Sequence, residues 1–144
     1  MLGGGSEGGN ITFKTMPVED SSSFRQVVKG NLQDLFPSMG IIEATDGVEA
    51  FQKIGADPPN LILVDISLPG ENGLELTRRI KTDYPDAIII ILTSYDSPEY
   101  REAAIQCKAD YFFSKGALTT DGFFTLVKSI LLAKAFNVDG SDRE

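Results

Sequence analysis

Five polar side chains stand at or just beyond the ends of candidate strands, where their chemistry can combine. Glu19 and Asp20 follow the run at 12–18, and Asp65 comes directly after Leu61-Ile62-Leu63-Val64. Thr93 follows the run at 87–92, and Lys115 comes shortly after Tyr111-Phe112-Phe113. Taken singly, most have an ordinary explanation. Asp20 reads as a helix cap, Thr93 as a β-former at a strand end, Lys115 as a solvated charge. Asp65 does not fit such an explanation, because a carboxylate behind four apolar residues needs a partner to be buried. Together the five read as a reaction site.

A carboxylate is a competent nucleophile toward phosphorus and forms an aspartyl phosphate. Phosphoryl transfer depends mainly on positioning and on neutralising charge on the transferred oxygens. Clustered carboxylates repel unless they share a hard cation, and Mg2+ takes oxygen ligands from one or two carboxylates and several waters. On this reading Asp65 is the nucleophile. Asp20 and Asp65, with Glu19 in support, hold Mg2+, while the Lys115 ammonium and the Thr93 hydroxyl each meet a phosphoryl oxygen. The sequence contains no histidine. That makes zinc an unsuitable metal, excludes histidine-based triads, and means that a phosphoryl group must arrive from another molecule.

The elements that bring these residues together follow from the punctuation of the chain. A first strand is expected at 12–18, with Pro17 awkward in it, since proline belongs on sheet edges or at strand ends. Asp20 and Ser21 offer caps for a helix carrying Phe24, Val27, Val28, Leu32, Leu35 and Phe36, which Pro37 ends. A short strand at 41–44 and an Asp46-Gly47 turn precede a helix marked by Val48, Phe51 and Ile54. The continuously apolar runs at 61–64 and 87–92 predict strands covered on both faces. Leu74, Leu76, Ile80 and Tyr84 mark a third helix. Ser97-Pro98 opens a fourth, with proline at its favoured first position. A strand at 111–113 and a helix carrying Phe123, Leu126, Val127, Ile130, Leu131 and Ala135 complete the series. Five βα units in succession predict a parallel sheet with helices on both faces, and in such sheets the site lies beyond the carboxyl ends of the strands.

Composition limits the alternatives. The 144 residues suit one domain, 42% are apolar, and the net charge is −8, which disfavours nucleic-acid binding because neutralising phosphates needs clustered Lys and Arg. The one cysteine, Cys107, rules out an intrachain disulfide and points to a reducing, cytoplasmic setting. The longest apolar block has six residues, far short of the roughly 20 of a membrane span. The glycine-rich segment 1–10 reads as a flexible leader, 11–137 as the folded domain, and 138–144 as a polar tail or the start of an interdomain linker.

The residues resemble those of the receiver domains of bacterial two-component response regulators. Val18-Glu19-Asp20-Ser21 is similar to the acidic-pair motif of that family. The segment from Leu61 to Leu76, with Pro69 four residues after Asp65, is similar to its phosphoacceptor segment. The strand ending at Thr93-Ser94 and the run Ala109-Asp110-Tyr111-Phe112-Phe113-Ser114-Lys115 resemble its hydroxyl and lysine motifs. The resemblance implies a flavodoxin-like (βα)5 fold with strand order 2-1-3-4-5. It implies phosphorylation of Asp65 by a sensor histidine kinase or phosphotransfer protein, with Mg2+ on Glu19, Asp20, Asp65 and the backbone carbonyl of Ser67. It also implies a switch in which Thr93 turns toward the phosphoryl group and Phe112 follows. Such a domain is a phosphoacceptor rather than an enzyme, although it promotes its own phosphorylation and dephosphorylation. Its output surface would lie around the fourth helix, fifth strand and fifth helix, facing a second copy, a fused output domain or another protein.

The sequence also departs from the family pattern. Met16-Pro17 replaces the usual aliphatic residues and is expected to distort the first strand near the metal site. Phe112 stands where tyrosine is common. Gly116 replaces a frequent proline after the lysine, a pattern closer to receivers attached to helix-turn-helix DNA-binding domains, and so to transcription regulators. Three other functions fit less well. A phosphoester hydrolase would need an aspartate where Ser67 stands. A flavin module would need a phosphate loop where Glu19-Asp20 would repel one. A receiver-like scaffold would not need the complete set of five.

Overall fold

A computed structural model describes residues 12–116 and 121–143; the expected leader at 1–10 lies outside the described residues. The elements are β1 (Lys14–Val18), α1 (Ser22–Leu35), β2 (Gly40–Ile41), α2 (Gly47–Ala56), β3 (Leu61–Val64), α3 (Gly73–Asp83), β4 (Ile88–Thr93), α4 (Pro98–Gln106), β5 (Tyr111–Ser114) and α5 (Asp121–Arg143). All strand pairs are parallel, in the order β2-β1-β3-β4-β5. The doubly wound sheet expected from the alternation is therefore present. The backbone of α5 continues to Arg143, so most of the segment read as a polar tail is helical. Among the described residues no helix is long and apolar enough to cross a membrane.

Strand side chains alternate between two cores. Met16, Val18, Ile62, Val64, Ile89 and Ile91 pack beneath α2, α3 and α4. Leu61, Leu63, Ile90 and Leu92 pack beneath α1 and α5 with Val28, Leu32, Phe123 and Val127. This two-sided burial is why β3 and β4 read as unbroken apolar runs.

The helices start where their caps dictate. Ser21, rather than Asp20, caps α1 by accepting the Phe24 N–H, and Asp46 caps α2, so Asp46-Gly47 is a helix start and not a free turn. Asn72 accepts the Leu74 and Glu75 N–H groups at α3, and Ser97 caps α4 with Pro98 in the first turn. Each such cap is worth about 1 kcal/mol. Val27, Leu35 and Val48, expected on buried helical faces, are 52%, 54% and 71% exposed. α1 and α2 each cover only one side of the sheet, so their apolar stripes are wider than the contact.

Pro17 occupies the interior of β1, between β2 and β3, and not an edge strand. The pairing of β1 with β3 is nevertheless continuous from Thr15↔Leu61 to Val18↔Val64, so the expected distortion does not reach that side. Its effect falls on β2. The Ile42 N–H donates to the Thr15 carbonyl and the Ala44 N–H to the Pro17 carbonyl. By the alternation of a parallel ladder, the donor that proline lacks would have addressed the Ile42 carbonyl. β2 accordingly ends at Ile41, and pairing resumes as an isolated Val18↔Ala44 bridge. This is why the strand expected at 41–44 spans only Gly40–Ile41.

Candidate functional site

Alternation along the strands aims the site. Val18 and Val64 face the α2–α4 core, so Glu19 and Asp65, one residue further, turn to the opposite side. Phe113 packs in the α1/α5 core, and Lys115 follows it two residues on. The three meet beyond the strand ends. The Lys115 ammonium lies 2.9 Å from Glu19 Oε1 and 3.1 Å from Asp65 Oδ2. Its underside rests 4.4 Å from the centroid of the Phe24 ring, contributed by α1.

Both carboxylates are buried, each with 6% of its surface exposed, and both are anchored by backbone. Glu19 Oε2 accepts the Ser21 N–H at 2.9 Å, and Asp65 Oδ1 accepts the Ser67 N–H at 3.3 Å. The Glu19 N–H donates to the Ala44 carbonyl and the Asp65 N–H to the Val18 carbonyl. Burial raises the Glu19 carboxyl above its ordinary value; it outweighs the hydrogen bonds from Lys115 and the Ser21 backbone, and the nearby Asp65 charge adds to it. Burial pulls Lys115 down, but its hydrogen bonds to Glu19 and Asp65 outweigh this and raise it, so the ammonium form is held at the site.

The loop after Asp65 is shaped by two glycines. Gly70 has φ +78°, the left-handed region, with open space around it. Gly73 opens α3 against the phosphoacceptor candidate itself: a Cβ there would sit 2.0 Å from the Asp65 carbonyl oxygen. The Gly73 N–H donates to the Ile66 carbonyl at 2.9 Å, and the Thr77 hydroxyl donates to the Gly73 carbonyl at 2.8 Å. The start of α3 is thereby pinned to the end of β3.

Thr93 is fully buried at the end of β4, and its hydroxyl accepts the Tyr95 N–H at 3.3 Å. Phe112 is half-buried against the α2–α4 core, the side to which Thr93 belongs by alternation. Its ring is covered by the Arg101 guanidinium at 4.7 Å, and Arg101 is itself held in a fork by Asp96 at 2.7 and 3.1 Å.

The structure therefore brings Glu19, Asp65 and Lys115 into contact. It places Asp20 exposed on the same turn, Ser67 exposed on the adjacent loop, and Thr93 and Phe112 on the neighbouring strands. Among the described residues no three His, Cys, Asp or Glu side chains form a ready-made metal cage. The donor set still suits Mg2+: two buried carboxylates share one ammonium, their oxygens are hard ligands, and this ion needs only one or two carboxylates beside its waters.

Three residues that shape the site had not been assigned a role from the sequence: Phe24, Arg25 and Gly73. Gly73 had a readable signal, a glycine immediately after an Asn cap and close behind the candidate nucleophile. Phe24 had been read as core only, and nothing in the order of residues shows that Arg25 reaches back to the Glu19 carbonyl.

Comparison with known proteins agrees with this fold. The family profile for the response regulator receiver domain matches residues 16–122. The oxygen regulatory protein NreC of Staphylococcus carnosus is 39% identical over 89 residues, 60% of this chain and 40% of NreC. The response regulator MprA of Mycobacterium leprae is 29% identical over 103 residues, 72% of this chain and 44% of MprA. The chain thus spans about two-fifths of the length of these relatives. A structure described as a DNA-binding response regulator of the LuxR family from Staphylococcus aureus superposes with a TM-score of 0.65 at 28% identity, covering 72% of this chain and 87% of that one. The response regulator TrrA of Thermotoga maritima, solved in complex with Mg(2+)-BeF, gives 0.73 at 30% identity, covering 83% and 99%. With the profile match extending over most of the chain and the same fold in these structures, the chain belongs to the response regulator receiver domain family.

Proposed function

We propose that Asp65 accepts a phosphoryl group from a sensor histidine kinase or phosphotransfer protein and that the acyl phosphate switches an output surface. An Asp65 carboxylate oxygen attacks phosphorus, the P–N bond of the donor phosphohistidine breaks, and its electron pair stays on the departing imidazole nitrogen. Lys115, in contact with Asp65 Oδ2, would meet an equatorial phosphoryl oxygen. Thr93 is the hydroxyl that would meet another as its side chain turns from the Tyr95 N–H. Asp20, Asp65 and the Ser67 carbonyl, with Glu19 in support, would hold Mg2+, whose contribution is to neutralise charge on the phosphoryl oxygens. The Mg(2+)-BeF complex of the Thermotoga maritima relative supports this reading.

The carrying observation is the Lys115 ammonium seated between two buried carboxylates at the carboxyl edge of the sheet. Phe112 would transmit the change to the surface around α4, β5 and α5, where Tyr100, Ile105, Tyr111 and Leu132 are exposed. That surface would engage a second copy, a fused output domain or another protein. The LuxR-family neighbour and the longer relatives favour a transcription regulator as the whole.

Intact-mass spectrometry after incubation with acetyl phosphate and Mg2+ tests the reading. One added phosphoryl group, absent with EDTA and absent in Asp65→Ala, is expected. No gain in folded protein that also fails to bind beryllium fluoride would defeat it.

A further inference from the structure

Arg25 joins the acid pair to a second charged cluster. From the first turn of α1 its guanidinium donates to the Glu19 backbone carbonyl at 2.7 Å and to Glu43 Oε1 at 2.8 Å. Its side chain is 12% exposed. Glu43, in the loop after β2, also receives Gln26 on Oε1 and Lys29 on Oε2, each at 2.9 Å, and its carbonyl accepts the Lys53 ammonium at 2.7 Å. The Glu19 carbonyl belongs to the peptide that leads into Asp20. The Glu19 N–H is tied to Ala44, the neighbour of Glu43. The sheet therefore holds the Val18–Glu19 peptide, and the Glu19–Asp20 peptide that follows is held at its carbonyl by a charge-assisted hydrogen bond, which is roughly twice as strong as a neutral one.

We propose that Arg25, itself oriented by Glu43, is the positioning residue that presents Glu19 and Asp20 to the metal. This rests on the Mg2+ site proposed above. Arg25 donates to the Glu19 carbonyl and to Glu43 rather than to the carboxylate oxygens of Glu19 and Asp20; it acts by fixing the backbone that carries them. A fork is required, because one arm must hold the Glu19 carbonyl while another holds Glu43. Lysine offers a single ammonium in its place. Outer partners of this kind typically change metal affinity by about 10–100-fold when removed.

The test is a Mg2+ titration of the metal-free protein, followed at the backbone amides of Asp20 and Ser21 by NMR, with thermal melting in EDTA alongside. Arg25→Met is expected to raise the Mg2+ Kd at least about tenfold. Arg25→Lys should give a smaller increase and Glu43→Gln a smaller one again. Arg25→Met with Glu43→Gln should bind no more weakly than Arg25→Met alone, since Glu43 acts through Arg25. A merely structural role would lower the melting temperature in EDTA and leave the Kd where it was. That outcome overturns the inference while leaving the Mg2+ site standing. Should Arg25→Met fail to fold, unchanged affinity in both Arg25→Lys and Glu43→Gln overturns it equally. Absence of any Mg2+ response in the wild type removes the site itself, and this inference with it.

Discussion

The Lys115 ammonium lies 3.1 Å from Asp65 Oδ2 and belongs to the same buried cluster as Glu19. Two carboxylates and one ammonium leave a net negative charge at the strand ends. The cluster is held together before any ligand arrives, yet still favours a further cation. Replacing Lys115 by Met removes the charge that would meet the phosphoryl group while leaving the carboxylates that would hold the metal. Mg2+ affinity should be retained or improved, and the rate of phosphorylation by acetyl phosphate should fall by about 10²-fold, as for loss of one preorganised donor. Rate measurements at saturating Mg2+ separate the two effects.

Gly73 touches Asp65 through backbone alone. Gly73→Ala forces a Cβ to within 2.0 Å of the Asp65 carbonyl oxygen, and backbone cannot swing away as a flexible side chain can. A loss of about 2–3 kcal/mol is expected from overpacking, together with slower phosphorylation. Gly70→Ala is the control. It meets nothing within 4 Å, so its loss, about 1–2 kcal/mol, reflects φ strain only. Chemical denaturation of both variants, read beside phosphorylation rates, distinguishes displacement of Asp65 from loss of stability.

Arg101 roofs Phe112 from α4 while Asp96 holds Arg101. Because Arg101 is half-exposed, the contact with Phe112 is worth about 0.5–1 kcal/mol. Arg101→Gln should leave the melting temperature nearly unchanged and move the Phe112 ring resonances in an aromatic carbon–proton NMR spectrum. Unmoved resonances would show that the guanidinium does not restrain the ring.

The five βα units were legible because β3 and β4 are buried on both faces and because Ser97-Pro98 and the proline stops delimit helices. The meeting of Asp65 and Lys115 was legible because each follows an apolar run at the same sheet edge. What escaped the sequence depends on partners distant along the chain. Pro17 looked misplaced until its missing donor proved to face β2. Val27, Leu35 and Val48 matched a helical stripe whose width exceeded the surface available to cover it. Arg25 lies within an ordinary amphipathic helix, and only the fold brings Glu43 and the Glu19 carbonyl within its reach.

Acid sensitivity should arise outside the site as well. Glu49 accepts hydrogen bonds from the Thr45 N–H and hydroxyl and pairs with Lys53 at 2.9 Å. The Lys53 contact is the largest cause holding it at about 2, below its ordinary 4.5. A depressed carboxyl contributes stability above the unfolded value and loses it as pH falls through the folded one. The contribution is therefore complete above pH 4.5 and lost toward pH 2. Glu49→Gln should melt below the wild type at neutral pH, and the gap should close across that window in a series of thermal melts.

The most direct test of Asp65 as the acceptor is chemical trapping. Protein treated with acetyl phosphate and Mg2+ is reduced with borohydride, which converts an aspartyl phosphate to homoserine, and the digest is sequenced by tandem mass spectrometry. Homoserine at position 65 and nowhere else is the expected result. Homoserine at another aspartate, or phosphoryl incorporation with none at 65, would contradict the assignment of Asp65 as the nucleophile.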